Sequence, residues 1–149
     1  MSSLRTAPVS HADTLEVRDH CLCLHVQRAA RALARRFDEA FRPLGLTNGQ
    51  FSLLMALNRP GAVPMAAVAK LLAVDRTTLT AALKPLQRRG LLAVSEDPHD
   101  RRARMLTLTP EGLALLTEAL PIWRSLHRAI EQGLPAGGDD LRAGLLRLL

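Results

Sequence analysis

Residues 64–109 constrain this chain more than any other stretch, because several local signals fall there in a fixed order. A short apolar run, PMAAVAKLLA, leads to Ala73-Val74 and then to Asp75, whose short acceptor side chain suits the cap of a new helix. From Asp75, the segment DRTTLTAALKPLQRRG places Leu79, Leu83 and Leu86 at i, i+4 and i+7, one buried stripe. Gly90 ends it. Two runs with the two-residue period of half-buried strands follow, LLAVSE and ARMLTLT, with Leu92, Val94, Leu106 and Leu108 on the inward side. The charged tip DPHDRR joins them.

Helix, tight turn, helix and basic two-stranded loop are the parts of a winged helix-turn-helix, which sets one helix in the major groove of DNA. The second helix has a face for that work: Thr77, Thr80, Ala81, Lys84 and Arg88, with Arg76 and Thr78 beside its start. Small residues let the backbone approach base edges, and Thr can bond a base or touch a thymine methyl. Lys84 and Arg88 suit phosphates, which position a protein without reading sequence. An ordinary amphipathic helix with a solvated polar side has the same pattern, so the helix alone does not decide. The hairpin does. Its tip holds Asp97, Asp100, Arg101 and Arg102, and Arg104 starts the return strand. Arginines this dense are costly to bury and suit a narrow minor groove, where the negative potential is strongest. A solvated charged turn is the plainer alternative. Its place directly after the two helices favours a wing.

Three stretches then resemble the MarR family of bacterial transcription regulators: LTNGQFSLLMAL, VAKLLAVDRTTLTAALKPLQRRGLL and EDPHDRRARMLTLTPEGLALL. The last is the most specific, since Asp100-x-Arg102 followed by LTLTPEG is similar to the family's wing signature. The resemblance covers roughly residues 19–149. It implies a homodimer on a pseudo-palindromic double-stranded DNA operator, expected to act as a repressor and released by a small molecule or an oxidant. It maps the family's minor-groove arginine onto Arg102 and the aspartate that steadies it onto Asp100. There are two departures. Ala73 stands at the turn where the family often has Gly, and Ala66 stands where a Ser or Thr cap is common at the first helix of the motif.

Composition narrows the partners. The 149 residues carry a net charge of +6, and the basic residues are Arg except for Lys70 and Lys84. Such a balance favours nucleic acid or another anionic surface. Aromatics are 3% and Tyr is absent, which argues against base stacking and so against single-strand or RNA binding. No apolar run approaches a membrane span and the N-terminus lacks a signal-peptide core, so no membrane partner and a cytoplasmic location are expected. The two cysteines then need no bridge.

In chain order, residues 1–13 read as a flexible arm whose Arg5 is within reach of DNA. Residues 14–46 and 109–149 read as a helical dimerisation region around a winged helix-turn-helix at 47–108. Leu15 to Leu44 is expected as one long helix, with Leu22, Val26, Ala29, Leu33, Phe37 and Phe41 in helical spacing, too long a stripe for one small domain to bury. Thr47 and Gln50 form a capping box for the next helix. Pro85 should bend the reading helix; the alternative is that the helix ends before Lys84. Thr109-Pro110 opens a helix to about Gln132, with Pro121 inside it, and Asp139-Asp140 opens a leucine-rich terminal one. The expected class is mainly α with a small antiparallel hairpin.

Candidate sensing residues lie outside the motif. In His20-Cys21-Leu22-Cys23-Leu24-His25, the two cysteines face nearly opposite sides of a helix, whereas Cys21 and His25 share one. Two ligands make no metal site without others such as His127. Small buried hydrophobes are the commoner fate of free cysteines, and a redox sensor, a metal sensor or a thiol-based redox enzyme using Cys21 and Cys23 is the alternative. The family resemblance also implies a small aromatic or phenolic acid effector in a cleft beside the winged lobe, for which His25, Arg28, Phe51, Leu54 and Trp123 are candidates by position. No catalytic constellation, phosphate loop or cofactor motif is visible, so neither catalysis nor a cofactor is expected.

Overall fold

The computed structural model describes residues 7–149 and divides into two compact units, 1–35 and 36–149. Arg5 of the expected arm lies outside the described residues. Helix α1 (His11–His20) starts within the stretch expected as an arm, where Ser10 and Asp13 form a reciprocal capping box. The single long helix is also corrected. It breaks at Cys21, whose ψ of 107° is extended, and resumes as α2 (Leu22–Phe41), with a 3-10 turn over Arg42–Leu44. Cys21 caps both sides, since its amide donates to Val17 O and its Sγ accepts from Leu24 N. The stripe from Leu22 to Phe41 lies wholly within α2, so the break shortens the helix and leaves the stripe in register.

The second unit is built around Leu-rich faces. Thr47 and Gln50 cap α3 (Asn48–Ala56) reciprocally. A two-residue strand β1 (Val63–Pro64) leads into α4 (Met65–Leu72). The cap of α4 is Pro64, which has no side-chain acceptor, so the uncapped start falls two residues before Ala66. Ala73 takes the left-handed conformation at φ 53°, and Asp75 caps α5 (Arg76–Arg88). The helix runs through Pro85 without ending before Lys84. Proline has no amide for the Ala81 carbonyl, and Ala81 is exposed, so water can take that role.

Strands β2 (Leu92–Asp97) and β3 (Asp100–Leu108) pair antiparallel, with Leu92 opposite Leu108 and Val94 opposite Leu106, as the alternation predicts. The turn is tighter than the charged stretch suggested. Asp97 accepts from His99 N and Asp100 from Arg102 N, so only Pro98 and His99 lie outside the strands and Arg101 and Arg102 belong to β3. β1 adds a third strand on the other side of β3, where Pro64 costs little because it sits on an edge. Thr109 caps α6 (Pro110–Gln132), which passes through Pro121; α7 (Asp139–Leu146) follows. The core joins Phe41, Leu54, Leu57, Val68, Leu79, Leu86 and Leu106, all at most 1% exposed.

Candidate nucleic-acid interface

The outward face of α5 is fixed by its inward one. Leu79, Leu83 and Leu86 are at most 3% exposed, which turns Thr77, Thr80, Lys84 and Arg88 to the surface. The three threonines are not equivalent. Thr78 N donates to Asp75 Oδ1 at 2.7 Å, and this bond, joined by one from the Thr78 hydroxyl, holds the Asp75 carboxyl below its ordinary value. The Thr80 hydroxyl donates to Arg76 O at 2.8 Å. Among the described residues the Thr77 hydroxyl has no protein partner, which leaves it free at the surface. Thr80 keeps its methyl for an apolar contact.

The wing is attached to the start of this helix. Arg76 Nη2 donates to Arg102 O at 3.4 Å. Asp100 Oδ1 accepts from the Arg102 main-chain amide at 3.0 Å, so its bond to that residue is to the backbone and not to the guanidinium. The side chains of Arg101 and Arg102 are exposed and have no ion-pair partner among the described residues. Arg104 differs. It is half-buried, donates to Arg101 O at 2.9 Å and lies 3.9 Å from Glu96, so it stiffens the hairpin. Of the wing arginines, 101 and 102 are the pair presented outward. Lys84 and Arg88 are likewise exposed without an acidic partner among the described residues.

Arg89 escaped sequence reasoning. It donates to Gly45 O at 2.7 Å and Leu44 O at 3.4 Å, tying the end of α5 to the turn before α3. Nothing local signals a bond between residues so far apart in the chain. The Thr109 hydroxyl is a second such link: it accepts from Gly112 N as a cap and donates to Gly90 O at 2.7 Å.

The sensing candidates separate into two places. Phe51 and Trp123 stack with ring centres 6.4 Å apart, and they line an apolar pocket of about 370 Å³ with Ser52, Met55, Leu71 and Leu120. Leu54 is fully buried core. His25 and Arg28 line a groove along α2 with Arg31 and Arg35. His25 Nδ1 is 2.8 Å from Cys21 O, and Cys23 Sγ accepts from Gln27. Cys21 is half-buried and Cys23 exposed, so neither is the fully buried hydrophobe that free cysteines commonly become. Among the described residues no group of three or more His, Cys, Asp or Glu is placed to hold a metal, and no helix is long and apolar enough to cross a membrane.

The comparisons agree on one family. The family model described as "MarR family" matches residues 44–103. The chain is 36% identical over 104 residues to the transcriptional repressor NicR of Pseudomonas putida; that alignment covers 70% of this chain and 64% of NicR, just under two thirds of its length. The Mycobacterium tuberculosis regulator MosR, solved in complex with DNA, is 35% identical with a TM-score of 0.79, covering 87% of this chain and 93% of that one. BpsR of Bordetella bronchiseptica, whose DNA binding is regulated by 6-hydroxynicotinic acid, is 34% identical with a TM-score of 0.72, covering 85% and 90%. With its winged helix-turn-helix described residue by residue and these relatives matched over most of its length, the chain belongs to the MarR family.

Proposed function

We propose that the chain is a homodimeric transcriptional regulator acting as a repressor, that it binds a pseudo-palindromic operator, and that a small aromatic or phenolic acid releases it. The observation that carries the reading is the bond from Arg76 to the Arg102 carbonyl, which sets the start of α5 beside the wing strand that presents Arg101 and Arg102. Thr77 and Thr80 then read bases, Lys84 and Arg88 hold phosphates, and Arg102 enters the minor groove. Residues 47–108 do this work, and the helices at 14–46 and 109–149 hold the dimer. The exposed Leu22, Leu113, Leu146 and Leu149 support that division, because a monomer would leave them in water. A dimer would space two reading helices one DNA turn apart.

The effector reading rests on the apolar pocket floored by Phe51 and Trp123, which suits a flat ring, and on the hydroxynicotinate response of the BpsR relative. Such a ligand acts only by preferring a dimer whose reading helices no longer match the operator. Release by an oxidant at Cys21 or Cys23 is the second reading, favoured by the exposure of Cys23. Loss of oxidant response in Cys21→Ser or Cys23→Ser separates it from the first, and steady turnover of a peroxide or disulfide would mark a thiol enzyme instead. The test of the main reading is a mobility-shift titration against salt with the DNA flanking the gene. Arg102→Ala and Lys84→Ala should each flatten the log–log salt slope by about one unit for every phosphate that is no longer neutralised. Binding unaffected by both together sinks the mechanism.

A further inference from the structure

The last turn of α2 holds Asp38 and Glu39 and no basic residue, so a cation from elsewhere is favoured at the negative end of its dipole. The chain closes that end with main-chain bonds. Gly45, left-handed at φ 60°, donates to Arg42 O at 2.9 Å, and Leu46 N donates to Phe41 O at 3.4 Å. This closure leaves the carbonyls of Leu44 and Gly45 over, and the Arg89 guanidinium takes both, at 3.4 and 2.7 Å. Arg89 is itself the C-terminal cap of α5. One side chain thus joins the ends of two helices. Among the described residues, Arg76 and Arg89 are the two side chains on α5 and that cap which bond another segment. Arg76 reaches the wing, and Arg89 reaches the end of α2.

We propose that Arg89 is a positioning residue for operator reading: it fixes α5 to the end of α2 and so sets the spacing at which two half-sites are read. The buried stripe of Leu79, Leu83 and Leu86 also holds α5 to the body. Apolar contact has little direction of its own, whereas a planar guanidinium forked over two carbonyls fixes one. Arg89 touches no DNA in this role. Its neighbour Arg88, exposed and without an acidic partner among the described residues, is the phosphate ligand of the two. The inference rests on the homodimer reading above, which gives residues 14–46 to the dimer, and names the side chain that ties the reader to that frame.

The test selects binders from random duplex DNA with the full chain, with Arg89→Met and with Arg88→Met, since Met keeps an aliphatic stem and drops the charge and donors. The parent should recover paired half-sites at one spacing, about one helical turn. It should prefer that spacing over one base pair more or less by about tenfold, the worth of a charge-assisted bond. Arg89→Met should recover the same half-site sequence with the preference cut to about threefold or less, and with the parent's log–log salt slope. Arg88→Met should keep the preference and lose about one unit of slope. Arg89→Lys, which reaches one carbonyl but not both, should fall between the parent and Arg89→Met, and it carries the test if the Met variant does not fold. A parental spacing preference in the variant, a changed half-site sequence or a lost unit of slope overturns the role of Arg89 and leaves the homodimer standing. A parent that recovers no paired half-sites overturns both.

Discussion

At the scale of single residues, the threonines of α5 carry the sharpest expectation. Thr77 has a free hydroxyl among the described residues, whereas Thr80 returns its own to Arg76 O. Thr77→Val should therefore lose cognate affinity by about 1–3 kcal/mol, the worth of a base-reading bond, while general DNA affinity survives. Thr80→Val keeps the methyl and should lose less. Competition footprints on cognate and random duplex measure both, and equal losses on the two duplexes would remove Thr77 from base reading. Ala73 makes a second case. Its φ of 53° strains any residue with a Cβ, so Ala73→Gly should raise stability by about 1 kcal/mol, read by chemical denaturation. That position was legible because the family resemblance marks it as a turn that often holds Gly. The fate of the threonine hydroxyls was not, since a hydroxyl that caps, bonds its own helix or stays free looks the same in sequence.

At the scale of elements, caps and stripes were legible and breaks were less so. Asp75, Thr47 and Thr109 all cap as their sequence context indicates, because each signal is complete within four residues. The break at Cys21 has no Pro or Gly to announce it, and β1 is too short to have a period. The capping carboxylate at Asp75 makes α5 sensitive to acid. Its pKa in the fold is lowered from 3.8, chiefly by the Thr78 amide. A depressed value means that its contribution is present above the unfolded pKa and disappears as pH falls through the folded one. Operator affinity and helix stability should therefore fall together in acid below that ordinary value, and Asp75→Asn, which keeps an acceptor, should blunt the dependence. A pH titration of melting temperature with both proteins checks it. Gly112 is the element scale's other fixed point. A Cβ there would lie 2.1 Å from the Leu91 carbonyl oxygen and 2.7 Å from Leu108 Cδ1. Gly112→Ala should cost about 3 kcal/mol or more, because the nearest atom is backbone and cannot step aside.

At the scale of the whole molecule, the sequence disclosed more of the reader than of its frame. The winged part depends on contacts between near neighbours, each with its own period or cap, so its order of parts could be assembled from local signals. The flanking helices carry leucines that stay exposed among the described residues. Leu141, Leu145, Leu146 and Leu148 on and after α7 are between 39% and 68% exposed. Leu146→Arg should therefore make operator binding fall off at higher protein concentration than in the parent, a shift visible by dilution in light scattering and mobility shift. Identical dilution curves would place that surface outside the interface. The pocket at Phe51 and Trp123 was reached only in part, because stacking between α3 and α6 is set by tertiary packing.

The junction at Gly90 and Thr109 has a mechanical consequence. One hydroxyl bonds both the end of α5 and the start of α6, and the main chain of Gly112 lies hard against the Leu91 carbonyl just beside it. The two helices meet without slack, as a lever meets a welded pivot. A shift at the start of α6 would therefore press directly on the chain that leaves α5.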